Sequence, residues 1–447
     1  MYIRKACVDI VYMDQIRWVN SDVEDFLEND FNYSSLWEPI NGSHRTPIKR
    51  MMFLLNAKYF HLNTFVERYI GLFMLVCTGI LLYYYYRQSL PKEIKSLKAQ
   101  VGYGLLIMIL FSLSQWALIH LSMGGFTMFK NFLYMIYWGI LNYFLKQRVK
   151  GFYTLLILVL SIILLTSILG SGSILSLIGT TIIVFIINAI FQKRVDKNFI
   201  ISMVAIIFTG IICLVFYSRG TDSVGGQGVF GRIEYLTGNF VKVLEFIALT
   251  LSSSVLHSRH GEFRLLWFEI FMGLGVFLLH LYSLYTFFKH KFYKKSYIPI
   301  FIQISSWITI IGILVVRFAE FGESVGKSPR YITHLQYGVI AIVWILLIKF
   351  FSEKISDHNR FGIEKRLIAS VLILIMSFQF ITYIYEWRTY KDKRAYYEKN
   401  RKVALNYQRI EPEKIKYQSG VEPEELVEAF TILEKYKLNM FHDYNSD

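Results

Sequence analysis

The residues able to do chemistry collect in three patches of a strongly apolar chain. The first is the N-terminal segment, which holds Asp9 and Asp14, an acidic stretch from Asp22 to Asp30, and then His44 and Arg45 ahead of Pro47. A carboxylate close to a membrane surface can take a proton from an acceptor hydroxyl, as a general base must, which makes Asp14 and Asp9 the candidate catalytic residues. His44 and Arg45 suit a phosphate, the arginine through its planar fork. The second patch is Arg317, Glu320 and Glu323, followed by Arg330 and His334. Arg330 and His334 are four apart and share a helix face, and Pro329 suits a helix start, where free backbone N–H groups favour anions. The third is the basic stretch with Arg219, Arg232, His257, Arg259, His260 and Arg264.

Each patch has a plainer reading. The first is also what an exposed acidic loop with a Pro-bounded turn looks like. In the second, Arg330 can anchor at lipid headgroups while Glu320 pairs with Arg317. Lys130, alone inside an apolar block, reads as a side chain that snorkels to the membrane surface. His257 and His260 stand three apart, but no Cys or carboxylate cluster completes a metal site, so none is expected. Gly226-Gln-Gly228-Val-Phe-Gly231 matches a dinucleotide fingerprint in form; with no strand before it and no helix after it, it reads as a turn.

The elements that must position these groups are set by composition. Of 447 residues, 54% are apolar and 18% charged, with 7 prolines, against about 45–50% and a quarter in an ordinary soluble chain. The excess lies in blocks of about 20 residues, the length that crosses about 30 Å of hydrocarbon. A soluble enzyme, a disordered chain and a secreted disulfide scaffold are excluded; Cys77 and Cys213 lie inside apolar blocks. The expected fold is an all-α polytopic transmembrane helix bundle of about ten spans, at 69–86, 101–119, 126–145, 152–169, 172–191, 199–217, 265–288, 297–316, 331–350 and 367–385. The stretch 241–256 is shorter and carries Lys242 and Glu245, so it reads as an interfacial or re-entrant helix.

Orientation follows from the basic loops. Five connections, near 87–98, 146–150, 193–197, 289–295 and 349–366, hold 19 basic and 5 acidic residues. They alternate correctly with the spans and mark the cytoplasmic side. The net charge of +15 is therefore almost wholly this topological signal, and no nucleic-acid partner is expected. Three regions result: an outer-face segment 1–68, a bundle 69–386 with an outer loop 218–264, and an outer-face helical tail 387–447. Leu426, Phe430 and Leu433 stripe one face of a helix in that tail and must cover something. Because the first segment must be exported and Met1 to Tyr12 is not apolar enough to be a signal, an eleventh helix preceding Met1 is expected.

The run Ser35-Leu-Trp-Glu-Pro-Ile-Asn-Gly-Ser-His44-Arg45 with Lys49-Arg50-Met-Met-Phe-Leu-Leu-Asn56 resembles the first outer loop of a set of bacterial polytopic membrane proteins. Phe111-Ser-Leu-Ser-Gln115-Trp116 with Asn131, and the tail leading through Leu433 to Asn439-Met-Phe441, resemble the same set. Gly42-Ser43 departs from its Asn-Glu-His-Arg-like core. The set is similar in layout to the C-type membrane glycosyltransferases. That resemblance implies transfer of a sugar from a polyprenyl-phosphate donor to a glycan or lipid acceptor, at the outer face of the bacterial cytoplasmic membrane, with an acidic residue of the first outer loop as base. The carry-over to Asp9 or Asp14 is by location. A polymerase or ligase of lipid-linked glycans, working through loop 218–264, and a lipid or polysaccharide transporter are the alternatives. The sequence names no cofactor, and it contains no Walker motif, zincin motif or nucleophile elbow.

Overall fold

The computed structural model describes residues 1–39, 45–91, 93–94, 96–121, 124–147, 152–169, 171–192, 197–219, 229–256, 266–352, 360–415, 417 and 421–442. Among these, every regular element is helical. The longer helices are α1 (Pro47–Phe60), α2 (Thr64–Ser89), α3 (Ser96–Leu110), α4 (Gly124–Gln147), α5 (Phe152–Leu169), α6 (Ser171–Gln192), α7 (Lys197–Ser218), α8 (Phe240–Ser253), α9 (Leu266–Lys289), α10 (Ile298–Phe321), α11 (Pro329–Ser352), α12 (Arg360–Leu405) and α13 (Pro423–Lys435).

A helix stands at each of the ten expected positions. Eight are long and apolar enough to cross a membrane; α4 and α5 stand at the other two. The apolar stripe of α7 (Val204, Phe208, Ile211 and Val215) and that of α9 (Phe271, Leu274 and Leu278) face outward, which only a hydrocarbon solvent tolerates over such an area. At the centre runs α11, buried at every position but His334 from Ile332 to Ile348, as expected of a predominantly apolar helix packed on all faces. Close approach of α2 and α4 depends on two glycines: a Cβ on Gly71 would lie 2.5 Å from the Cα of Gly125. The short α8 has 14 residues, about 21 Å of helix, less than the hydrocarbon thickness. Its first turn is exposed, and its second half, from Phe246, is buried against α9 and the turn Glu323–Lys327.

Helix α12 changes the expected domain boundaries. It runs unbroken for 46 residues, about 69 Å, more than twice the hydrocarbon thickness. The boundary expected at 386/387 therefore falls inside a continuous helix that leaves the bundle and carries the tail with it. Beyond the bundle, the N-terminal segment and the tail share one core, in which Trp18, Val19, Phe26 and Phe53 pack with Tyr417, Leu426, Phe430, Leu433 and Phe441. The stripe on α13 covers the N-terminal segment. Each piece alone is too small to bury much apolar surface, and together they form a cap on one end of the bundle.

Two polar devices hold the cap. Arg50 and Asp22, with side chains 6% and 1% exposed, form a two-pronged ion pair. Asn439 sits in the left-handed region at φ 49°, which asparagine tolerates better than most residues. Its Oδ1 accepts from the Val11 amide at 3.0 Å, and its Nδ2 donates to Leu62 O and to Asp9 Oδ1, both at 2.7 Å. This latch ties the tail to both halves of the N-terminal segment.

Candidate functional site

Two sites follow from this arrangement, one in the seam between cap and bundle and one inside the bundle. In the seam, Asp9 is engaged through one oxygen: its Oδ1 accepts from Thr64 N at 2.9 Å, Thr64 Oγ1 at 2.7 Å and Asn439 Nδ2 at 2.7 Å. It thereby caps the start of α2 and anchors the latch. Asp14 opens a short helix, Asp14–Trp18, and stays partly exposed. Its field acts on Lys49, whose ammonium lies 5.2 Å from the Trp18 ring centre and 5.8 Å from that of Phe126. Burial pulls Lys49 down to about 8, opposed by the negative charges of Asp14 and Glu67.

Glu67 is a seam carboxylate that sequence reasoning did not single out. It is 7% exposed and is held by Gln15 Nε2 at 3.1 Å and Asn56 Nδ2 at 2.9 Å. It borders a groove of about 220 Å³ whose other walls, including Leu55, Phe60, Ile70 and Phe129, are almost wholly apolar. Arg45 Nη1 donates to Phe216 O at 2.5 Å at the end of α7, while Trp37 packs on Phe216 and Tyr217. Those contacts dock the segment onto the bundle, because terminal helix carbonyls lack intrahelical donors. His44, and His257, Arg259, His260 and Arg264 of the third patch, lie outside the described residues.

The second site is a cavity of about 310 Å³ enclosed by α4, α6, α10 and α11. Lys130 does not snorkel. It is 7% exposed and its Nζ lies 2.9 and 3.1 Å from the two ring nitrogens of His334, donating to whichever carries the lone pair. Arg317 stands on the α10 wall, with Nη1 3.2 Å from Glu320 Oε2. Asn131, Tyr134, Ser176, Ser305, Thr309 and Tyr337 supply amide and hydroxyl groups to the lining, and Leu175, Ile308, Ile313 and Val316 an apolar wall. A cation-rich, hydroxyl-lined pocket with one greasy side fits an anionic headgroup attached to a lipid chain. Arg330 lies one turn before His334 and stacks on Tyr331 at 5.0 Å, its Nε buried without a hydrogen-bond partner among the described residues.

Sequence explains how these groups are held. Ser112, Ser114 and Gln115 interrupt the second span between α3 and the short helix Trp116–His120. Such a break survives in a membrane only where protein satisfies the freed groups. Here Gln115 Nε2 donates to Leu110 O at 2.9 Å and Ser112 Oγ accepts from Ser114 N at 3.3 Å, while α11 fixes the side chains of the break: Gln336 Nε2 donates to Ser114 Oγ at 2.5 Å and Thr333 Oγ1 to Gln115 Oε1 at 2.9 Å. Those bonds set the rotation of α11 that turns His334 into the cavity. On the opposite wall Ser176 Oγ lies 2.8 Å from Ser305 Oγ, so this small residue both packs and bonds. Of the fingerprint-like glycine segment, residues 226–228 lie outside the described residues, and Gly231 falls in a short helix, Val229–Gly238, that carries Glu234. Among the described residues there is still no strand before it.

The candidate residues thus divide. Asp9, Asp14 and Arg45 belong to the cap and its seam, and His334 lines the cavity, to which no described cap residue contributes. Helix α4 is a wall of both sites, since Phe126 and Phe129 face the seam groove while Lys130, Asn131 and Tyr134 face the cavity. Comparison of the chain with family models, with curated proteins and with solved structures returns no match.

Proposed function

We propose that this protein is an integral-membrane glycosyltransferase that takes its sugar from a polyprenyl-phosphate donor bound in the cavity between α4, α6, α10 and α11. The observation that carries the reading is the cavity's chemistry: Lys130, His334 and Arg317 on a lining of hydroxyl and aromatic groups, with an apolar wall at the level of the bundle. In this reading the ten helices cross the cytoplasmic membrane, the basic loops face inward, and the cap lies on the outer face.

The reaction needs two things of the chain. Lys130 and Arg317 hold the phosphate and stabilise the charge that grows on it as the bond between the anomeric carbon and the phosphate oxygen breaks. A base takes the proton of the acceptor hydroxyl as its oxygen forms the new bond to that carbon. Asp9 is committed to Thr64 and Asn439, and Asp14 lies in the seam; in this cavity His334 takes that proton once Lys130 turns from its ring to the donor phosphate and frees the imidazole lone pair. Arg330, at the start of α11, supplies further positive charge beside the cavity. Among the described residues the lining includes no carboxylate, which favours as a second reading a carrier that moves the same class of lipid without reaction.

Turnover separates the two. Full-length protein reconstituted in liposomes with a radiolabelled polyprenyl-phosphate sugar and a glycan acceptor should release polyprenyl phosphate, and His334→Ala should lower the rate about a hundredfold, the usual share of general-base catalysis. Movement of the intact donor between leaflets with no release of polyprenyl phosphate would overturn the transferase reading in favour of the carrier.

A further inference from the structure

A second cavity, of about 160 Å³, opens on the other side of α2. It shares no lining residue with the Lys130 cavity, so its chemistry is independent of the transferase reading. At its head stands Arg68, in the second turn of α2 and only 4% exposed. Nη2 donates to His120 O at 2.8 Å, and the guanidinium carbon lies 5.0 Å from the Phe65 ring centre. Among the described residues the Nε and Nη1 donors, both buried, have no hydrogen-bond partner. Among the described residues no carboxylate forms an ion pair with Arg68. The adjacent Glu67 is bonded to Gln15 and Asn56 on the opposite side of α2, and the buried Glu386 pairs with Lys393.

A guanidinium cannot discharge itself by losing a proton. Buried without a counter-ion, it carries a large desolvation penalty that only an anion with hydrogen-bond acceptors offsets. Nothing described in the chain supplies one. Apart from Tyr2, Tyr69 and Gln115, the rest of the cavity is apolar: Leu72 and Leu75 continue down α2, with Phe111, Leu118 and Met128 opposite. The order is therefore cation near the helix start and hydrocarbon surface deeper along the span, which is the polarity of a membrane lipid.

We propose that Arg68 binds the phosphate of a membrane phospholipid whose acyl chain lies along α2 in this cavity. The two free donors, Nε and Nη1, lie on different edges of the guanidinium, so they engage phosphate oxygens separately while Nη2 remains on His120 O. The chemistry recognised is a phosphate, and the apolar limb assigns it to a lipid in preference to the free ion.

Native mass spectrometry of the full-length protein in detergent tests this with three probes: phosphatidylglycerol, diacylglycerol of the same chains, and inorganic phosphate. The wild type should retain phosphatidylglycerol and not diacylglycerol. Arg68→Gln should bind phosphatidylglycerol about tenfold more weakly, the equivalent of one charge-assisted hydrogen bond, and Arg68→Lys should fall between. Should Arg68→Gln fail to accumulate, Leu72→Trp fills the apolar limb from a part-exposed position and should cause a loss of the same order. Equal retention by wild type and both variants overturns the proposal, as does equal retention of diacylglycerol. Saturation by inorganic phosphate with no lipid retained overturns the lipid assignment. Polyprenyl phosphate, measured in parallel, should bind Arg68→Gln as it binds the wild type; joint loss of both lipids overturns the assignment of a separate site.

Discussion

Replacing Asp9 asks whether this carboxylate is a base or a tether. Its three hydrogen bonds, to Thr64 N, Thr64 Oγ1 and Asn439 Nδ2, all end on Oδ1. An asparagine can offer that same oxygen, whereas an alanine leaves three donors without their acceptor. Hydrogen bonds to a charged group contribute about 1.5–3 kcal/mol each. Three sharing one part-exposed oxygen do not add, so Asp9→Ala should destabilise the cap by about 3–5 kcal/mol and Asp9→Asn by about 1–2 kcal/mol. Cys7 reports the opening. It is 2% exposed beside this region, and burial pushes its thiol up to about 11. In a Cys77→Ala, Cys213→Ala background, maleimide labelling of Cys7 should rise roughly a hundredfold or more in Asp9→Ala and about tenfold in Asp9→Asn, since each 1.4 kcal/mol is about a factor of ten. Labelling of Asp9→Ala at the wild-type rate would refute the tether. Loss of sugar transfer in Asp9→Asn with the cap still closed would make Asp9 the base.

The other expectations concern the cap and the seam. Arg50→Met strands the buried Asp22 carboxylate and should cost about 3–5 kcal/mol, seen as earlier thermal loss of Trp18 fluorescence; the double variant Arg50→Met, Asp22→Leu should recover much of it, and no recovery would mean that the pair was not the cause. Lys49 has its folded value lowered to about 8 from 10.5, so the folded state binds fewer protons between those values and wild-type stability should rise with pH through that window. After discounting for partial exposure, the gain over Lys49→Met between pH 7 and pH 10 should be about 2 kcal/mol, and parallel melting curves for the two proteins across that range would contradict it. Asn439→Ala removes the latch from Val11, Leu62 and Asp9 together and should expose Cys7 to labelling as strongly as Asp9→Ala does; a variant as protected as the wild type would show that the latch does not hold the cap closed.

Much of the architecture was legible because hydrocarbon imposes one rule on every span. Blocks of about 20 apolar residues placed a helix at each expected position, and the shortness and charge of 241–256 anticipated the 14-residue α8. Domain limits were less legible. The 386/387 boundary followed hydropathy, which falls where α12 leaves the bundle, but backbone hydrogen bonding continues to Leu405 because nothing before it breaks the helix. The stripe Leu426, Phe430, Leu433 announced a partner and not its identity, since only long-range packing brings the tail to the N-terminal segment. Lys130 carried a readable signal, a lone charge inside an apolar block, yet snorkelling explains such a residue equally well until His334, 204 positions away, is seen beside it. Glu67 and Arg68 sat at the edge of a span, where charged residues are ordinary. Their burial on opposite sides of α2 is a property of the packed cap and bundle, with no counterpart in local sequence.

The central claim is that the Lys130 cavity holds a lipid phosphate. Titration of the full-length protein with polyprenyl phosphate, followed by native mass spectrometry, tests it most directly. Lys130→Met removes the cation and keeps the bulk, and it should weaken binding about tenfold to a hundredfold, as loss of a buried charge-assisted contact to phosphate requires. Equal affinity in wild type and Lys130→Met would contradict the account.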